Sequence, residues 1–547
     1  PGRGLTGIMD KILGAVRAGY RATLSAALEA KFLVFVLLAA IIAAGAFAFL
    51  RLPSELTPPE DRGNLFVVVD GPEGAGFAYT SRVLEQVEDV FLTYVENGEV
   101  RRVLIIAPSF GDSGTSRFSS GFARVFLEDW GERRPGDEIV GELNRRFGDL
   151  PGATVRVIMQ NPFAARGGGA GASIVLLGST YDDLAAAGDR IVAGARQNPM
   201  FIRPRMDYEP NAPRVLVHVD RERAAALGVT VQAVARALEA TMGQRRLNTF
   251  ERDGEEYNIF MQAERDQRSE VGDLSNMFVR SDRTGELIPL STVVTSETIG
   301  DSSSRRRFDR LAAVTVSVSL APDVPIGTAL NELTRLANDA TQGQNVRVDY
   351  TGEAREYRQA SGQILFAFVF ALVIVFLVLA AQFESFVNPF IIMLSVPLAV
   401  AGGLLGLYLA GSSLNIYSQI GLIILIALAA KNGILIVEFA NQLRDEGRSI
   451  REAILEASDL RLRPVLMTSI ATIIGALPLV LADGAGAESR QTIGVVIVFG
   501  LAISTLLTLY IVPAFYDLLA RFTRSPEAAS QEIEALEAGE GLHRPAE

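Results

Sequence analysis

The chain has 547 residues, with 51 Lys and Arg against 63 Asp and Glu, a formal net charge of -12, two histidines and no cysteine. No stretch supplies a basic groove for nucleic acid, and without cysteine there are no disulfides, thiolate metal sites or cysteine nucleophiles. His218 lies in the alternating, strand-like run RVLVHVD and His543 in a polar tail, so imidazole chemistry is nearly excluded, and the absence of any nucleophile–base or metal-ligand constellation argues against an enzyme. The length calls for two or three domains. A chain that opens on Pro1, with no signal peptide before its first apolar run, is expected to be a piece of a longer polypeptide.

In chain order, Leu5 to Glu29 reads as an amphipathic helix whose apolar residues recur every three to four positions. Lys11, Arg17, Arg21 and Lys31 give it a basic flank, suited to the cytoplasmic membrane face, and residues 1–30 form this first segment. A membrane span follows over 31–50, closed by Arg51 and Pro53.

The polar interval after it repeats its own organisation. Phe66–Asp70 is strand-like, Ala78–Thr93 helical, Val103–Ala107 and Phe122–Leu127 strands, Asp137–Phe147 helical and Ala153–Met159 a strand. That order, βαββαβ over 51–165, is a split βαβ sandwich with helices on one side of a mixed sheet. A second unit begins with Ala172–Leu177, Tyr181–Arg196 and Arg214–Asp220 (residues 166–220) and finishes with Ala313–Leu320, Ile326–Asp339 and Val346–Tyr350 (residues 309–355). Between its halves lies an insertion over 221–308 with a helical stretch, Val231–Met242, a hairpin pattern at Leu247–Asp253 and Glu255–Met261, and a short apolar IPLSTVV. An excursion inside a repeat usually projects and makes contacts. The glycine-rich loops Pro108–Ser116 and Phe163–Gly171 read as flexible borders of a cleft; the second lacks the Lys-Ser/Thr of a phosphate cradle.

Five more spans fill residues 364–516: Ile364–Ala381, Pro389–Ala410, Ile420–Ala440, Val465–Leu481 and Ile493–Phe515. The fold class expected is therefore a membrane protein with six transmembrane helices and a large α+β region. The link Asn441–Arg463 holds Arg444, Arg448, Arg451, Arg461 and Arg463, which places it in the cytoplasm and the large polar domain outside, in the periplasm of a Gram-negative cell. Residues 517–547 are a cytoplasmic tail, Glu- and Ala-rich and disordered in character beyond Arg524.

Gly421 to Leu443 carries the chemistry. Lys431 lies near the middle of this apolar run, with Asn432 beside it and Glu438 two turns on. A lysine at that depth costs roughly 2.5 to 3.5 kcal/mol on insertion scales, so it should face a protein interior, a partner acid or a water path. Asn432 is divided between packing against a neighbouring helix and supporting the lysine. Glu438 reads as a solvated end residue.

Several stretches then coincide with one family. RLPSELTPPEDRG (Arg51–Gly63), LGVTVQAVARAL (Leu227–Leu238), AAQFESFVNPFIIMLSVPLAV (Ala380–Val400), AAKNGILIVEFANQLRDEG (Ala429–Gly447) and LRLRPVLMTSIATIIGALPLVLADGAGAESRQTIG (Leu460–Gly494) resemble the resistance–nodulation–division transporters, in their hydrophobic and amphiphilic efflux branch. The resemblance runs from Leu5 to Phe522 and is to the C-terminal half of such a pump. It implies two porter subdomains with a docking insertion, a homotrimer, a periplasmic adaptor, an outer-membrane channel and small amphiphilic substrates. It implies no cofactor beyond the proton as coupling ion, and no metal.

The family's proton relay joins two adjacent aspartates of the N-terminal half to a lysine, a threonine and an arginine, matched here by Lys431, Thr468 and Arg461. Thr468 has the alternative of bonding a backbone carbonyl in its own helix. No span here carries an Asp-Asp pair, so an N-terminal half must supply it. The family's substrate cleft and switch loop map onto Leu104, Ile106, Phe110, Phe122 and Arg124, with Gly111 and Gly114 as the loop glycines. Leu104, Ile106 and Arg124 stand where relatives of broad range crowd phenylalanines, which implies a less aromatic pocket. Two other readings share the six-span layout: an export-accessory protein of the same superfamily, and a non-transporting half-pump.

Overall fold

The computed structural model describes residues 5–58, 60–110, 116–159, 171–268, 270–302, 304–321 and 324–522. Within them, 5–71, 77–207 and 306–522 form one compact unit, and 72–76 with 208–305 form another.

The larger unit begins with α1 (Leu5–Glu29) and α2 (Lys31–Arg51). The first sandwich follows as β1 (Asn64–Asp70), α3 (Phe77–Glu96), β2 (Val100–Ile106), a two-residue ladder of β3 (Ser109–Phe110) with β4 (Ser116–Arg117), β5 (Ser120–Leu127), α4 (Gly136–Gly148) and β6 (Thr154–Met159). Its strand order is β2-β5-β1-β6, and every pairing is antiparallel. The mixed sheet expected from the βαββαβ order is thus corrected. The helical crossover does make β1 and β2 parallel, but it skips one position, and β5 fills the gap between them. Alternate residues of β1 (Leu65, Val67, Val69) and β5 (Ala123, Val125, Leu127) meet Val87 and Phe91 of α3 and Ile139 and Leu143 of α4 in a closed core. Helices cover that face only, which leaves the other available.

The second sandwich opens with β7 (Gly171–Gly178), α5 (Tyr181–Arg196) and β8 (Phe201–Met206). The smaller unit then holds β9 (Ala212–Val219), α6 (Arg221–Ala226), α7 (Val231–Thr241), the hairpin β10 (Arg245–Arg252) and β11 (Glu255–Met261), β12 (Phe278–Arg280), β13 (Leu287–Pro289) and β14 (Val294–Asp301). Returning to the larger unit, β15 (Arg306–Phe308), β16 (Leu311–Leu320), α8 (Ile326–Thr341) and β17 (Arg347–Tyr350) complete a sheet ordered β15-β16-β7-β17, with β8 also on β16.

One strand changes allegiance. Arg214–Asp220, expected as the third strand of the second sandwich, falls on β9 up to Val219 and pairs with β14 instead, while Asp220 caps α6. Its place beside β16 belongs to β8, whose FIRPRM has too many arginines and a proline to show as a strand.

The bundle comprises α9 (Glu353–Phe383), α10 (Val387–Met393), α11 (Ser395–Leu409), α12 (Ile416–Asp445), α13 (Ile450–Val480) and α14 (Ala487–Leu519). Counting α10 with α11 as one stretch and adding α2, six helical stretches among the described residues are long and apolar enough to cross a membrane. The break at Leu394 has a local cause: Pro397 has no N–H to offer the Met393 carbonyl. The helices outrun their apolar runs, so most of the arginine-rich link is helical, with Arg444 on α12 and Arg451, Arg461 and Arg463 on α13. Hydropathy sees the greasy middle of a helix and not its polar ends.

Small residues let the helices close up. A Cβ on Gly45 of α2 would lie 2.6 Å from the Cβ of Ala401 on α11, so only glycine permits that approach. Along α1, Tyr20, Leu24 and Leu28 are buried in the bundle core. The Tyr20 hydroxyl donates to the Leu509 carbonyl at 2.7 Å, and Arg17 forks onto Asp459 of α13 at 2.6 and 2.7 Å.

Candidate functional site

Lys431 lies at the middle of the 30-residue α12, and its side chain is exposed on a helix flank left uncovered among the described residues. Ile420, Ile424, Ala427 and Glu438 are exposed on the same helix at spacings of three, four and seven residues, which makes one bare stripe. Among the described residues Lys431 has no ion pair and no hydrogen bond, and Glu438, two turns away, does not pair with it.

The next residue does the opposite. Asn432 is 2% exposed, and its amide donates to the Ser469 hydroxyl of α13 at 3.2 Å and to the Thr505 hydroxyl of α14 at 3.1 Å. Thr505 donates to Ser469 at 3.0 Å, closing a triangle of side chains across three helices. A one-residue step turns the chain by about 100°, which is why Lys431 faces out while Asn432 faces in. The Asn432–Ser469 bond also puts their neighbours Lys431 and Thr468 at one level of the bundle. Sequence reasoning missed Ser469 and Thr505. The signal was present, since each is a hydroxyl within an apolar span, where polar side chains usually find an interhelical partner.

The Thr468 hydroxyl donates to the Val465 carbonyl of its own helix at 3.2 Å, and its carbonyl accepts from Thr472 at 2.8 Å. Arg461 lies two turns before it on α13, stacked over the Phe439 ring of α12 at 4.4 Å, with its buried Nε lacking a hydrogen-bond partner among the described residues. Lys431, Thr468 and Arg461 are therefore distributed along the α12–α13 pair, with no hydrogen bond joining them among the described residues.

Four of the pocket candidates, Leu104, Ile106, Phe122 and Arg124, share the helix-free face of the first sheet. Leu104 sits opposite Arg124 and Ile106 opposite Phe122 across β2 and β5, while Phe66 and Val68 of β1 flank the same two β5 residues. Leu104 is 50% exposed, Arg124 is exposed, and the Phe66 and Phe122 rings lie 5.4 Å apart. Arg156 of β6, opposite Val68, adds a cation to this face. Burial, together with the neighbouring Arg205, pushes its guanidinium down to about 10 despite Asp70 at 4.0 Å. The backbone of Phe110 pairs with Ser116, and Gly111 and Gly114 lie outside the described residues.

Comparison with known proteins agrees with this layout. Residues 3–520 match the AcrB/AcrD/AcrF family. An uncharacterized transporter of Haemophilus influenzae is 33% identical over 87% of this chain and 46% of its own length. The multidrug export protein AcrF of Escherichia coli is 32% identical over 89% of this chain and 48% of its own. A toluene efflux pump membrane transporter, TtgB of Pseudomonas putida, is 31% identical over 93% and 48%. The chain spans about half the length of the curated relatives it matches. It belongs to the AcrB/AcrD/AcrF family, as an inner-membrane protein with its large α+β domain in the periplasm.

Proposed function

We propose that this chain supplies the C-terminal half of a proton-driven efflux pump that exports amphiphilic or hydrophobic compounds across the Gram-negative envelope. One observation carries the reading: Lys431 stands at mid-span on the bare flank of α12, with no partner for its charge among the described residues. An ammonium at that depth is costly unless a carboxylate meets it. The partner is then looked for outside the described residues, and the family resemblance names it as an aspartate pair on an N-terminal half.

The coupling follows from charge. Two ionised carboxylates hold the ammonium; protonating one weakens the attraction and changes which packing of the helices is favoured. The Asn432–Ser469–Thr505 triangle keeps α12 from rotating, so the Lys431 side chain responds rather than the helix. Thr468 gives a hydroxyl at the same level, and Arg461 a cation toward the cytoplasmic mouth. Residues 51–165, 166–207 and 306–355 then act as the porter subdomains, with the smaller unit's 208–305 as the docking insertion that meets a periplasmic adaptor and an outer-membrane channel in a homotrimer. The face bearing Leu104, Ile106, Phe122 and Arg124 would line the substrate cleft together with Phe110, gated by the loop of Gly111 and Gly114.

The test is Lys431→Met in the pump assembled with its N-terminal half. Export of a fluorescent amphiphile is expected to stop while the trimer stays intact; export at the unmodified rate would overturn the assignment.

A further inference from the structure

The membrane-proximal end of the first sandwich holds a cavity of about 460 Å3, within the roughly 300–1,000 Å3 range of small-ligand sites. It forms where the starts of β1 and β2 and the end of β5 approach Ala485, in the loop joining α13 to α14. That loop connects two spans on the side of the α+β domain, so the cavity lies at the depth of lipid headgroups.

Its charges are arranged by a strand irregularity. The ladder of β2 with β5 slips between Val100 and Arg102, leaving Arg101 as an extra residue. Such a bulge re-aims side chains, and here Arg101 and Arg102 line one cavity instead of opposite faces. Both are exposed, and among the described residues neither has an ion pair; Arg102 rests over the Phe126 ring at 5.8 Å. The cavity also holds Glu128 and Asp129, whose carboxylates are likewise without ion pairs among the described residues. Its other two guanidiniums are already neutralised, Arg133 by Asp61 at 2.8 Å and Arg62 by Glu60 at 2.6 Å. Trp130, the chain's single tryptophan, completes the wall.

Two available guanidiniums beside two available carboxylates do not suit a simple anion, which the carboxylates would repel. They suit a phosphate with an ammonium a few bonds away. The guanidiniums bind phosphate oxygens in a fork, the carboxylates take the ammonium, and the aromatic wall matches the membrane boundary, where tryptophan concentrates. We propose that this cavity binds a zwitterionic phosphoethanolamine headgroup, chemistry shared by a membrane phospholipid and by soluble glycerophosphoethanolamine.

Trp130 makes the test direct, since no other tryptophan contributes to the signal. The purified full chain in detergent is titrated with soluble glycerophosphoethanolamine, and separately with phosphatidylethanolamine, phosphatidylglycerol and phosphatidylcholine of equal acyl length. A saturable change in Trp130 emission is expected, tightest for phosphatidylethanolamine. The Arg101→Gln/Arg102→Gln double variant should bind about tenfold more weakly, as loss of a charged phosphate contact predicts. The Glu128→Gln/Asp129→Asn variant should turn the preference toward phosphatidylglycerol. Saturation by the soluble compound identifies the headgroup alone as sufficient, and saturation by the lipid only identifies a membrane phospholipid; both support the site. Equal binding of the three lipids, unchanged affinity in the arginine double variant, or no saturable response overturns it.

Discussion

The Asn432 amide on α12 donates to the Thr505 hydroxyl on α14 at 3.1 Å, and Thr505 donates on to Ser469 of α13 at 3.0 Å. These bonds lie where no bulk water can replace them, so each member depends on the other two. Interhelical bonds of this kind average about 0.6 kcal/mol and reach about 1.7 kcal/mol. Asn432→Ala and Ser469→Ala should each lower bundle stability by an amount in that range, and the double variant should lose less than their sum. Unfolding in detergent measures this, and simple additivity would contradict a shared network.

Thr468 separates structure from coupling. Its hydroxyl makes one local bond, to Val465 in the preceding turn, so Thr468→Val should change stability by no more than about 0.5 kcal/mol. If the hydroxyl serves the proton relay, the same variant loses proton-dependent export in the assembled pump. Full export with unchanged stability would reduce Thr468 to its local bond.

Asp61 gives a pH prediction outside the membrane. Burial alone would raise its carboxyl, but Arg133 and the N–H groups of Gly63 and Gly136 outweigh it and hold the group below the usual carboxylate range. A depressed folded-state value means the stabilisation is complete above about pH 4, the ordinary carboxylate value, and is lost as pH falls through the folded value. Asp61→Asn should remove that acid limb. It should also cost about 3–5 kcal/mol at neutral pH, because it leaves the Arg133 side chain, 1% exposed, without its counter-charge. Trp130, whose indole N–H donates to the Asp61 carbonyl at 3.2 Å, reports local unfolding by its emission.

Gly45 and Gly475 should respond in opposite ways to substitution. Gly45→Val forces α2 away from Ala401 and is expected to cost about 1–3 kcal/mol. Gly475 on α13 has nothing within 4 Å of an added Cβ, so Gly475→Ala should be neutral or gain about 0.5–1 kcal/mol from helix propensity. Paired thermal melts in one detergent distinguish the two sites.

Much of the architecture was legible without coordinates because its signals are local. The apolar runs of six spans, the alternation in strands such as β1 and the lysine in the middle of α12 are all written within short windows of chain. Even the C-terminal end of α1, at Glu29, follows from its periodicity.

What only the tertiary structure decided is partnership. β9 reads as a strand from its own residues, but whether it joins β16 or β14 depends on chain far along the sequence, the β14 partners running from Val294 to Asp301. The inward turn of Asn432 and the outward turn of Lys431 depend on the rotation of α12, which packing against α13 and α14 sets and a flat apolar run does not encode. Arg101 and Arg102 share a cavity only because a bulge in β2 breaks the alternation that sequence reading assumes. Local periodicity determines which elements form; non-local contacts determine what their side chains meet.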